Sequence, residues 1–419
     1  MTTEVKERTV TRESGAAAQE SAAGAPGPKT AGNDPLPTVR DERTMRTFSF
    51  VMYMTMALTV SFFPLYFSAQ GYSKLQIGTI YAIGPFIGIA ANLVWGYASD
   101  KLQTIRKVLI VILCGQLLTT VILSQMDTIA WLYVVMVAYN FFFTPINGLN
   151  DSLTLLTIRR TGKSYASFRV WGSLGFAFSS LAFGTILHAV GVEHTILFTI
   201  GTISLSLCIA FFLKDRSGGP TGAISFSGFF DIIRQPRLLL FLALIFTMSF
   251  AHRTNDGFLA LTMRELGASD TVIGWAWTAS SLSEIPMFFW LSKNGHRFKE
   301  LPLLMIASFF YAVRFFLVSI VSDPLWIIPL QLMHSVTFGI FLVTALRYIQ
   351  QLIPDQFRAT GQAIYNIVWS CLAGLASGIV GGWVFDGWGA PVMYRIAAFS
   401  AVLACFGFLL TSLYQRRHS

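Results

Sequence analysis

The stretch "LLLFLALIFTMSFAHRTNDGFLAL", residues 238–261, decides the fold of this chain. A helix needs roughly 20 predominantly apolar residues to cross the ~30 Å hydrocarbon core of a bilayer, and this run has that length. Its first half is almost purely apolar, whereas its second half carries His252, Arg253 and Asp256. The run therefore predicts a membrane-spanning helix with ionisable side chains placed deep in the membrane.

Composition extends this prediction to the rest of the chain. Of 419 residues, 54% are hydrophobic and 12% are charged, whereas about 25% are charged in a typical soluble domain. Segments of about 10 residues with alternating polarity, which mark a membrane β-barrel, are absent from the sequence. We predict an all-α membrane protein with twelve transmembrane helices, at residues 46–68, 75–98, 107–125, 129–158, 164–187, 194–213, 237–262, 271–292, 301–321, 324–350, 359–383 and 391–414.

Basic residues in the loops predict the orientation of these spans. If the amino terminus is cytoplasmic, nearly all loop Lys and Arg residues lie inside, and the outer side keeps only Lys74, Arg264 and Arg395. This asymmetry predicts that both termini are cytoplasmic and that the protein lies in a cell (cytoplasmic) membrane. The net charge of +9 is attributed to this topology. The lipid bilayer is an expected partner, and no nucleic-acid partner is expected.

The longest polar interruption within the apolar region, "FFLKDRSGGPTGAISFSGFFDIIRQPR" at 211–237, follows the sixth span. It predicts a disordered cytoplasmic tail at 1–43, a six-helix bundle at 44–213, a cytoplasmic linker at 214–236 and a second six-helix bundle at 237–415. The turns after spans 2 and 8 are similar and begin at Trp95 and Trp290. Two pseudo-symmetric bundles with a site between them are typical of secondary transporters.

Several kinds of chemistry are not expected from this sequence. The four cysteines lie in apolar spans without a CxxC pair, so neither disulfides nor a metal site is expected. P-loop, HExxH and GxSxG motifs are absent from the sequence, so we expect no enzyme and no cofactor beyond a proton as coupling ion. A membrane sensor that does not transport is the alternative from another functional class.

Ionisable residues inside the spans identify the candidate site. Each charged group at mid-depth costs on the order of 3 kcal/mol, so such groups should pair or face water. In the first half, Asp151 in span 4 and Arg169 in span 5 lie at similar depth across a helical hairpin. They are predicted either to form a structural ion pair or to line a central cavity, where a carboxylate and a guanidinium suit hydroxyl-rich or acidic ligands.

In the second half, Arg253, Glu284, Arg314 and His334 lie in one layer from the midplane outward, on spans 7 to 10. Arg253 and Asp256 are three residues apart and are also able to satisfy each other structurally. A carboxyl group buried in an apolar setting favours its neutral form, which a proton-coupled carrier requires. Glu284 has that setting in "SSLSEIPMFFW", and Arg314 and His334 are its predicted partners.

The turn "GYASDKLQTIRK" after span 2 resembles the signature loop of the major facilitator superfamily. Its Gly, its Asp four residues later and its basic residues match at Gly96, Asp100, Lys101, Arg106 and Lys107, although the usual middle Gly is absent. The resemblance implies twelve helices in two bundles and a gating role for this loop. The alternative is an ordinary cytoplasmic turn.

Across residues 46–414 the chain resembles the oligosaccharide/proton symporters of the lactose permease type and the related permeases for nucleosides and 3-phenylpropionate. In that family a span 4 carboxylate and a span 5 arginine, eighteen residues apart, bind the sugar, and Asp151 and Arg169 have this spacing. The motif "RVWGSLGF" places Phe176 where the family has the aromatic residue that stacks on the sugar. The family's span 8 glutamate, span 9 arginine and span 10 histidine have counterparts in Glu284, Arg314 and His334.

The chain departs from the lactose permeases at Thr337, where they have a second glutamate that is the proposed proton site, and at Gln331, where they have a lysine. Proton coupling is therefore expected from Glu284, Asp256 or Asp151. Asn147 and Trp369 are further candidates for hydrogen bonding and stacking in the cavity.

We predict proton-coupled uptake of a small polar solute by alternating access, by a protein that functions as a monomer. The solute is expected to be a sugar or oligosaccharide, a nucleoside or an aromatic acid. A proton-driven exporter of drugs or lipids is the alternative within transport.

Overall fold

The structure, a computed structural model, describes residues 37–126, 128–161, 165–215, 235–353 and 358–418. Every regular element within these ranges is a helix, as the sequence predicts. Ten of the described helices are long and apolar enough to cross a membrane.

The first half of the chain contains six long helices. They are α1 (Val39–Ala69), α2 (Lys74–Leu102), α3 (Ile105–Leu123), α4 (Ile129–Phe143 and Pro145–Thr161), α5 (Ala166–Val190) and α6 (Thr195–Ala210). A π-helical segment, Leu58–Phe62, interrupts α1, and a short 3₁₀ turn, Val192–His194, precedes α6.

The second half begins with α7 (Pro236–Glu265), α8 (Asp270–Asn294) and α9 (Glu300–Ile320). Helix α10 consists of Ile327–Leu332, the π-helical segment Ser335–Gly339 and Ile340–Leu352. Helices α11 (358–388) and α12 (390–418) run on from each other and are separated by the non-helical backbone of Gly389, which has φ 80°. The π-helical segment Ile367–Leu372 lies in α11, and 3₁₀ turns at Gly295–Arg297 and Pro324–Trp326 precede α9 and α10.

Two features explain why ten apolar helices are found where twelve spans are predicted. One of the ten, Ile364–Arg416, contains both α11 and α12. Helix α8 is not among the ten, since Glu284 and neighbouring serines make it less apolar than the others. The described residues therefore contain twelve helical segments of membrane-spanning length.

The first helix begins earlier than the predicted span at residue 46. Thr38 caps it, because its hydroxyl accepts from the Asp41 amide (3.2 Å) while the Asp41 carboxylate accepts from the Thr38 amide (3.0 Å). Residues 39–43, predicted as part of the tail, are consequently helical. The rest of that predicted tail, and most of the predicted linker at 214–236, lie outside the described residues.

Close helix contacts join the two halves. The hydroxyl of Thr278 in α8 donates to the Ala177 carbonyl oxygen in α5 at 3.0 Å, and a Cβ added to Gly274 would lie 2.2 Å from the Ser180 carbonyl oxygen. Between α2 and α11, a Cβ on Gly78 would lie 2.1 Å from the Gly378 carbonyl oxygen. Small residues therefore allow backbone-to-backbone packing at both contacts.

Charged groups tie the halves together near the α1–α2, α7–α8 and α11–α12 connections. The two carboxylate oxygens of Asp386 accept hydrogen bonds from the backbone amides of Lys74 (3.0 Å) and Leu75 (2.8 Å). The Lys74 ammonium lies 3.1 Å from the Glu265 carboxylate. We call this side of the bundle the closed end. Deeper along the same interface, the Cys371 thiol donates to the Pro85 carbonyl oxygen at 2.8 Å.

Candidate functional site

A cavity of about 1040 Å³ lies between the two halves. Helices α1, α2, α4 and α5 line one wall, and α7, α8, α10 and α11 line the other. It extends from the closed end toward the α2–α3 and α10–α11 connections, where Asn92 and Ile364 border it. The π-helical segments of α1, α10 and α11 each contribute lining residues. Such segments frequently occur at functional sites.

Arg169 is the charged group of the first wall. Its guanidinium lies 4.7 Å from the centre of the Tyr53 ring and donates one long hydrogen bond, 3.4 Å, to the Ser173 hydroxyl. Gly172, one turn along α5, leaves the space for this arrangement, since a Cβ there would lie 2.8 Å from the Tyr53 ring and 3.1 Å from Nη1 of Arg169. Among the described residues no carboxylate lies within 4 Å of Arg169, so its donors are available to a ligand.

Asp151 does not line this cavity, in contrast to one of the two sequence predictions. It borders a separate narrow void behind Tyr53 and Arg169. The Tyr165 hydroxyl donates to its carboxylate at 2.8 Å, and this contact holds the side chain behind the wall. The predicted ion pair with Arg169 is also not formed within 4 Å in the described part of the chain. Asp151 and Arg169 thus share the small void without a direct contact.

Two other predicted residues of the first wall do line the cavity. The Phe176 ring lies 6.1 Å from the Trp277 ring of α8, in an edge-on arrangement that crosses between the halves. Asn147 donates to the Met56 sulfur at 3.8 Å, and its side-chain oxygen has no hydrogen-bond partner among the described residues. Tyr53 and Trp277 were not predicted as site residues, and with 14% aromatic content nothing in the sequence distinguishes them.

Trp369 was predicted to stack in the cavity but lies behind its lining. Its ring stacks against His252 at 5.2 Å, Phe341 at 5.4 Å and Tyr365 at 6.1 Å. The Arg253 guanidinium lies 5.9 Å from its centre. Trp369 therefore supports the second wall and does not face the cavity.

The predicted trio of Glu284, Arg314 and His334 is brought together. Oε1 of Glu284 lies 2.8 Å from Nε2 of His334, and Nη1 of Arg314 lies 3.0 Å from Nδ1. Because a guanidinium only donates hydrogen bonds, Nδ1 must be the acceptor, and the proton of a neutral ring is on Nε2 beside the carboxylate. Glu284 and His334 line the cavity, whereas Arg314 is fully buried behind them.

Gln331 and Thr337, the two departures from the lactose permeases, complete the surroundings of Arg314. Arg314 donates to the Gln331 side-chain oxygen and to the Thr337 hydroxyl, the latter at 3.3 Å. Neutral acceptors thus occupy positions where those relatives have ionisable groups. Within the described residues, His334 is the group that connects Arg314 to the cavity.

A second cluster lies beside this trio on α7. Nε2 of His252 lies 3.3 Å from the Asp256 carboxylate, and Nδ1 lies 3.1 Å from the Tyr311 hydroxyl. Arg253 lies 3.8 Å from the same carboxylate and donates to the Ser370 hydroxyl at 3.0 Å. His252, Arg253 and Asp256 all line the cavity, so the ionisable residues of the 238–261 stretch border that space.

The signature loop packs against its own half. The Arg106 guanidinium donates to the Phe211 carbonyl oxygen at the end of α6 (2.8 Å), and Lys101 lies 5.8 Å from the Tyr97 ring. Lys107 donates its backbone amide to Thr104, the cap of α3. Gly96 and Asp100 lie in the last turns of α2. Gln103 occupies the position of the missing Gly and has a left-handed backbone, φ 51°, a conformation that Gly adopts most easily.

Comparisons with known proteins agree with this architecture. The chain is 25% identical over 373 residues to the maltose permease of Geobacillus stearothermophilus, an alignment covering 88% of this chain and 94% of that protein. It is 24% identical to the probable 3-phenylpropionic acid transporter (72% of this chain, 80% of that protein) and also 24% identical to the putative nucleoside transporter YegT (80% and 82%), both of Escherichia coli strain K12.

The fold matches that of a solved transporter. The nucleoside transporter NupG, as its D323A mutant, superposes with a TM-score of 0.79 at 15% identity, over 88% of this chain and 99% of that one. The relatives are transporters and not enzymes. Because the model of the MFS_1 like family matches residues 43–396, the chain belongs to that family and is a multi-pass membrane transporter with the major facilitator fold.

Proposed function

We propose that this transporter couples the uptake of a small polar solute to protons, by alternating access in the cytoplasmic membrane. Its cargo is a sugar or oligosaccharide, a nucleoside or an aromatic acid, the classes named for its maltose permease, nucleoside and 3-phenylpropionic acid relatives. It functions as a monomer without a cofactor, and the proton is its coupling ion. Both termini are cytoplasmic, and the two six-helix bundles at 44–213 and 237–415 move relative to each other.

The contact between Glu284 and His334 on the cavity wall is the main support for proton coupling. A carboxyl group 2.8 Å from an imidazole is able to gain and lose a proton where the cargo binds. Arg314, buried on the far side of the ring, stabilises the ionised carboxylate through His334. Any movement of α8 relative to α9 and α10 would change this contact. Protonation of Glu284 is thereby linked to the conformation of the second half.

The opposite wall supplies a recognition surface for the cargo. Arg169 offers guanidinium donors that no described carboxylate occupies, and Phe176 and Tyr53 offer ring faces or edges. Asn147 lines the same wall. Rings with polar substituents, which sugars, nucleosides and aromatic acids share, fit such a combination of donors and aromatic surface. Asp151, held by Tyr165, contributes by neutralising charge behind Arg169.

The signature loop acts on the cytoplasmic side in this proposal. Gly96, Asp100, Lys101, Arg106 and Lys107 lie where α2 turns into α3, at the end away from the closed end. The arrangement around the cavity corresponds to a carrier closed on one side, with the Asp386 and Lys74 contacts forming the closure. Opening of this closure and approach of the other ends would complete the transport cycle.

The test uses purified protein in proteoliposomes. A thermal-shift screen of sugars, nucleosides and aromatic acids identifies a cargo, whose accumulation is then measured under an imposed proton gradient. Glu284→Gln is expected to abolish uphill accumulation and to spare counterflow exchange, because the amide does not take up a proton. Glu193→Gln is the matched control, since Glu193 is exposed and lies 3.9 Å from His194, which is exposed as well. Unchanged accumulation by Glu284→Gln would contradict the coupling role.

A further inference from the structure

The second wall contains two carboxylate–imidazole pairs of the same design. In each pair Nε2 of a histidine faces a carboxylate, at 2.8 Å for His334 and Glu284 and at 3.3 Å for His252 and Asp256. In each, Nδ1 contacts a side chain of α9, which is Arg314 at 3.0 Å in one pair and Tyr311 at 3.1 Å in the other. Since Tyr311 and Arg314 are three residues apart, one face of α9 holds both rings.

The two pairs are also in contact with each other. The rings of His252 and His334 are stacked with centroids 5.8 Å apart, and the Phe338 ring stacks on both, at 4.8 and 5.0 Å. Both imidazoles are buried, with 4% and 6% exposure. The two carboxylates that these rings contact are both negative when ionised, and like charges in a buried site repel each other. Protonation of one carboxylate relieves this repulsion, so the second proton binds less easily than the first.

We propose that Asp256 and His252 form a second proton-binding unit, coupled to Glu284 and His334 through the stacked rings. This inference rests on the proposed proton coupling and extends it from one site to two. Asp256 is open to cavity water, with 24% of its side chain exposed, so a proton reaches it without crossing the protein. The new O–H bond forms on the carboxylate, and the proton comes from water.

Protonation of Asp256 changes the contacts of the Arg253 guanidinium. In the ionised state the Asp256 carboxylate is 3.8 Å from Arg253, which also donates to Ser370. A neutral carboxyl no longer holds the guanidinium, so Arg253 gains a donor that faces the cavity. The second unit therefore links proton binding to the charge that the cargo meets at this wall.

Several other groups surround the unit and set its protonation. Arg253 on α7 lies 3.8 Å from the Asp256 carboxylate, and Arg314 on α9 contacts His334, whose ring stacks on that of His252. Tyr311 on α9 and His334 on α10 contact the His252 ring, and Glu284 on α8 acts through His334. The alternative outcome is a permanent ion pair in which Arg253 keeps Asp256 ionised at every pH that the protein tolerates.

Carboxyl infrared difference spectroscopy of the purified full-length protein, titrated with pH and without cargo, separates these outcomes. We expect two cavity carboxyl steps in the unmodified protein. Glu284→Gln should remove one step. Asp256→Asn should remove the other and move the remaining Glu284 step to lower pH, because a neighbouring negative charge is lost. Glu193→Gln should leave both cavity steps in place.

An unchanged titration in Asp256→Asn would overturn the proposal, since Asp256 would then be a structural partner of Arg253. Loss of the Asp256 step without any shift of the Glu284 step would overturn the coupling. If Asp256→Asn does not fold, His252→Gln is used instead. The Asp256 step is then expected to shift, and the pH of the Glu284 step should no longer depend on whether Asp256 is protonated. Absence of a Glu284 step would contradict the proposed function separately, because that readout depends on the other unit.

Discussion

At the scale of single residues, sequence reasoning gives the depth of a side chain in the membrane but not the direction in which it points. Glu284, Arg314 and His334 were predicted to lie together, and the structure brings them within hydrogen-bonding distances. Asp151 and Trp369 have suitable depths, but Asp151 is held by Tyr165 and Trp369 packs against Tyr365. The rotation of each helix about its own axis decides whether such a side chain faces the cavity. This rotation depends on how the helices pack, which the sequence pattern does not give.

Arg169 provides a residue-scale test through its neighbour Gly172. Gly172→Ala places a methyl group 2.8 Å from the buried Tyr53 ring and 3.1 Å from the guanidinium. We expect a loss of about 1–3 kcal/mol in the free energy of unfolding, as for other overpacked sites, and a smaller thermal shift with the cargo because Arg169 is displaced. Differential scanning fluorimetry of the purified protein measures both effects.

Gly201→Ala is the control for this substitution. Gly201 lies within α6, and nothing lies within 4 Å of an added Cβ. The same chemical change there should leave cargo binding intact and stabilise the protein by about 0.5–1 kcal/mol, since Ala is the better helix former. A Gly172→Ala protein as stable as the parent would show that the Tyr53 and Arg169 positions are not constrained in this way.

At the scale of helices, the twelve predicted spans correspond to twelve helical segments, because apolar runs of the right length are a strong signal. The sequence did not reveal the π-helical segments of α1, α10 and α11, which arise from local changes of hydrogen-bond register. It also missed the early start of α1, which depends on the Thr38 cap. Helix caps and hydrogen-bond register depend on single residues, whereas hydropathy is averaged over a long window and does not report them.

The amino terminus of α2 gives an element-scale prediction. Asp386→Ala removes the carboxylate that accepts from the Lys74 and Leu75 amides, and bonds to charged groups are worth about 1.5–3 kcal/mol. We expect hydrogen–deuterium exchange in the peptide that begins at Lys74 to become about tenfold faster or more. The physical reason is more frequent separation of α2 from α11 at the closed end.

Asp323→Ala is the matched control, because the Asp323 side chain also caps a backbone amide, that of Leu325, but within one half. Faster exchange should then stay local to the start of α10. If Asp386→Ala behaved in the same local manner, with α11 and α7 unaffected, Asp386 would be a helix cap without influence on the closure.

At the scale of the whole molecule, two related halves around one cavity could be predicted from turn similarity and charge placement. The cavity itself and its closed end could not, because they depend on contacts between residues far apart in the chain, such as Gly78 with Gly378. These contacts require glycine on both sides, which no hydropathy pattern reveals. Only the packing of the two halves against each other shows which end of the cavity is the closed end.

Orientation in the membrane is the whole-molecule prediction. In a variant without native cysteines, Gln70→Cys and Lys293→Cys each place a thiol at an exposed position, at opposite ends of the helices. A membrane-impermeant thiol reagent added to intact cells should label Gln70→Cys, because the proposed topology places the closed end on the outer side. Lys293→Cys should be labelled after permeabilisation only. The reverse pattern would invert the proposed topology and place both termini outside.

The contact between Cys371 and the Pro85 carbonyl oxygen gives the native chain its own indicator of conformation. Cys114 and Cys208 are exposed on α3 and α6, so their surroundings stay lipid-like in either state, whereas Cys371 is nearly covered between the halves. Separation of α2 from α11 would break the contact between Cys371 and Pro85 and increase the solvent exposure of the Cys371 thiol. Its reaction rate with a water-soluble alkylating agent would then rise. The kinetics of alkylation at one natural position would thus follow the carrier through its cycle.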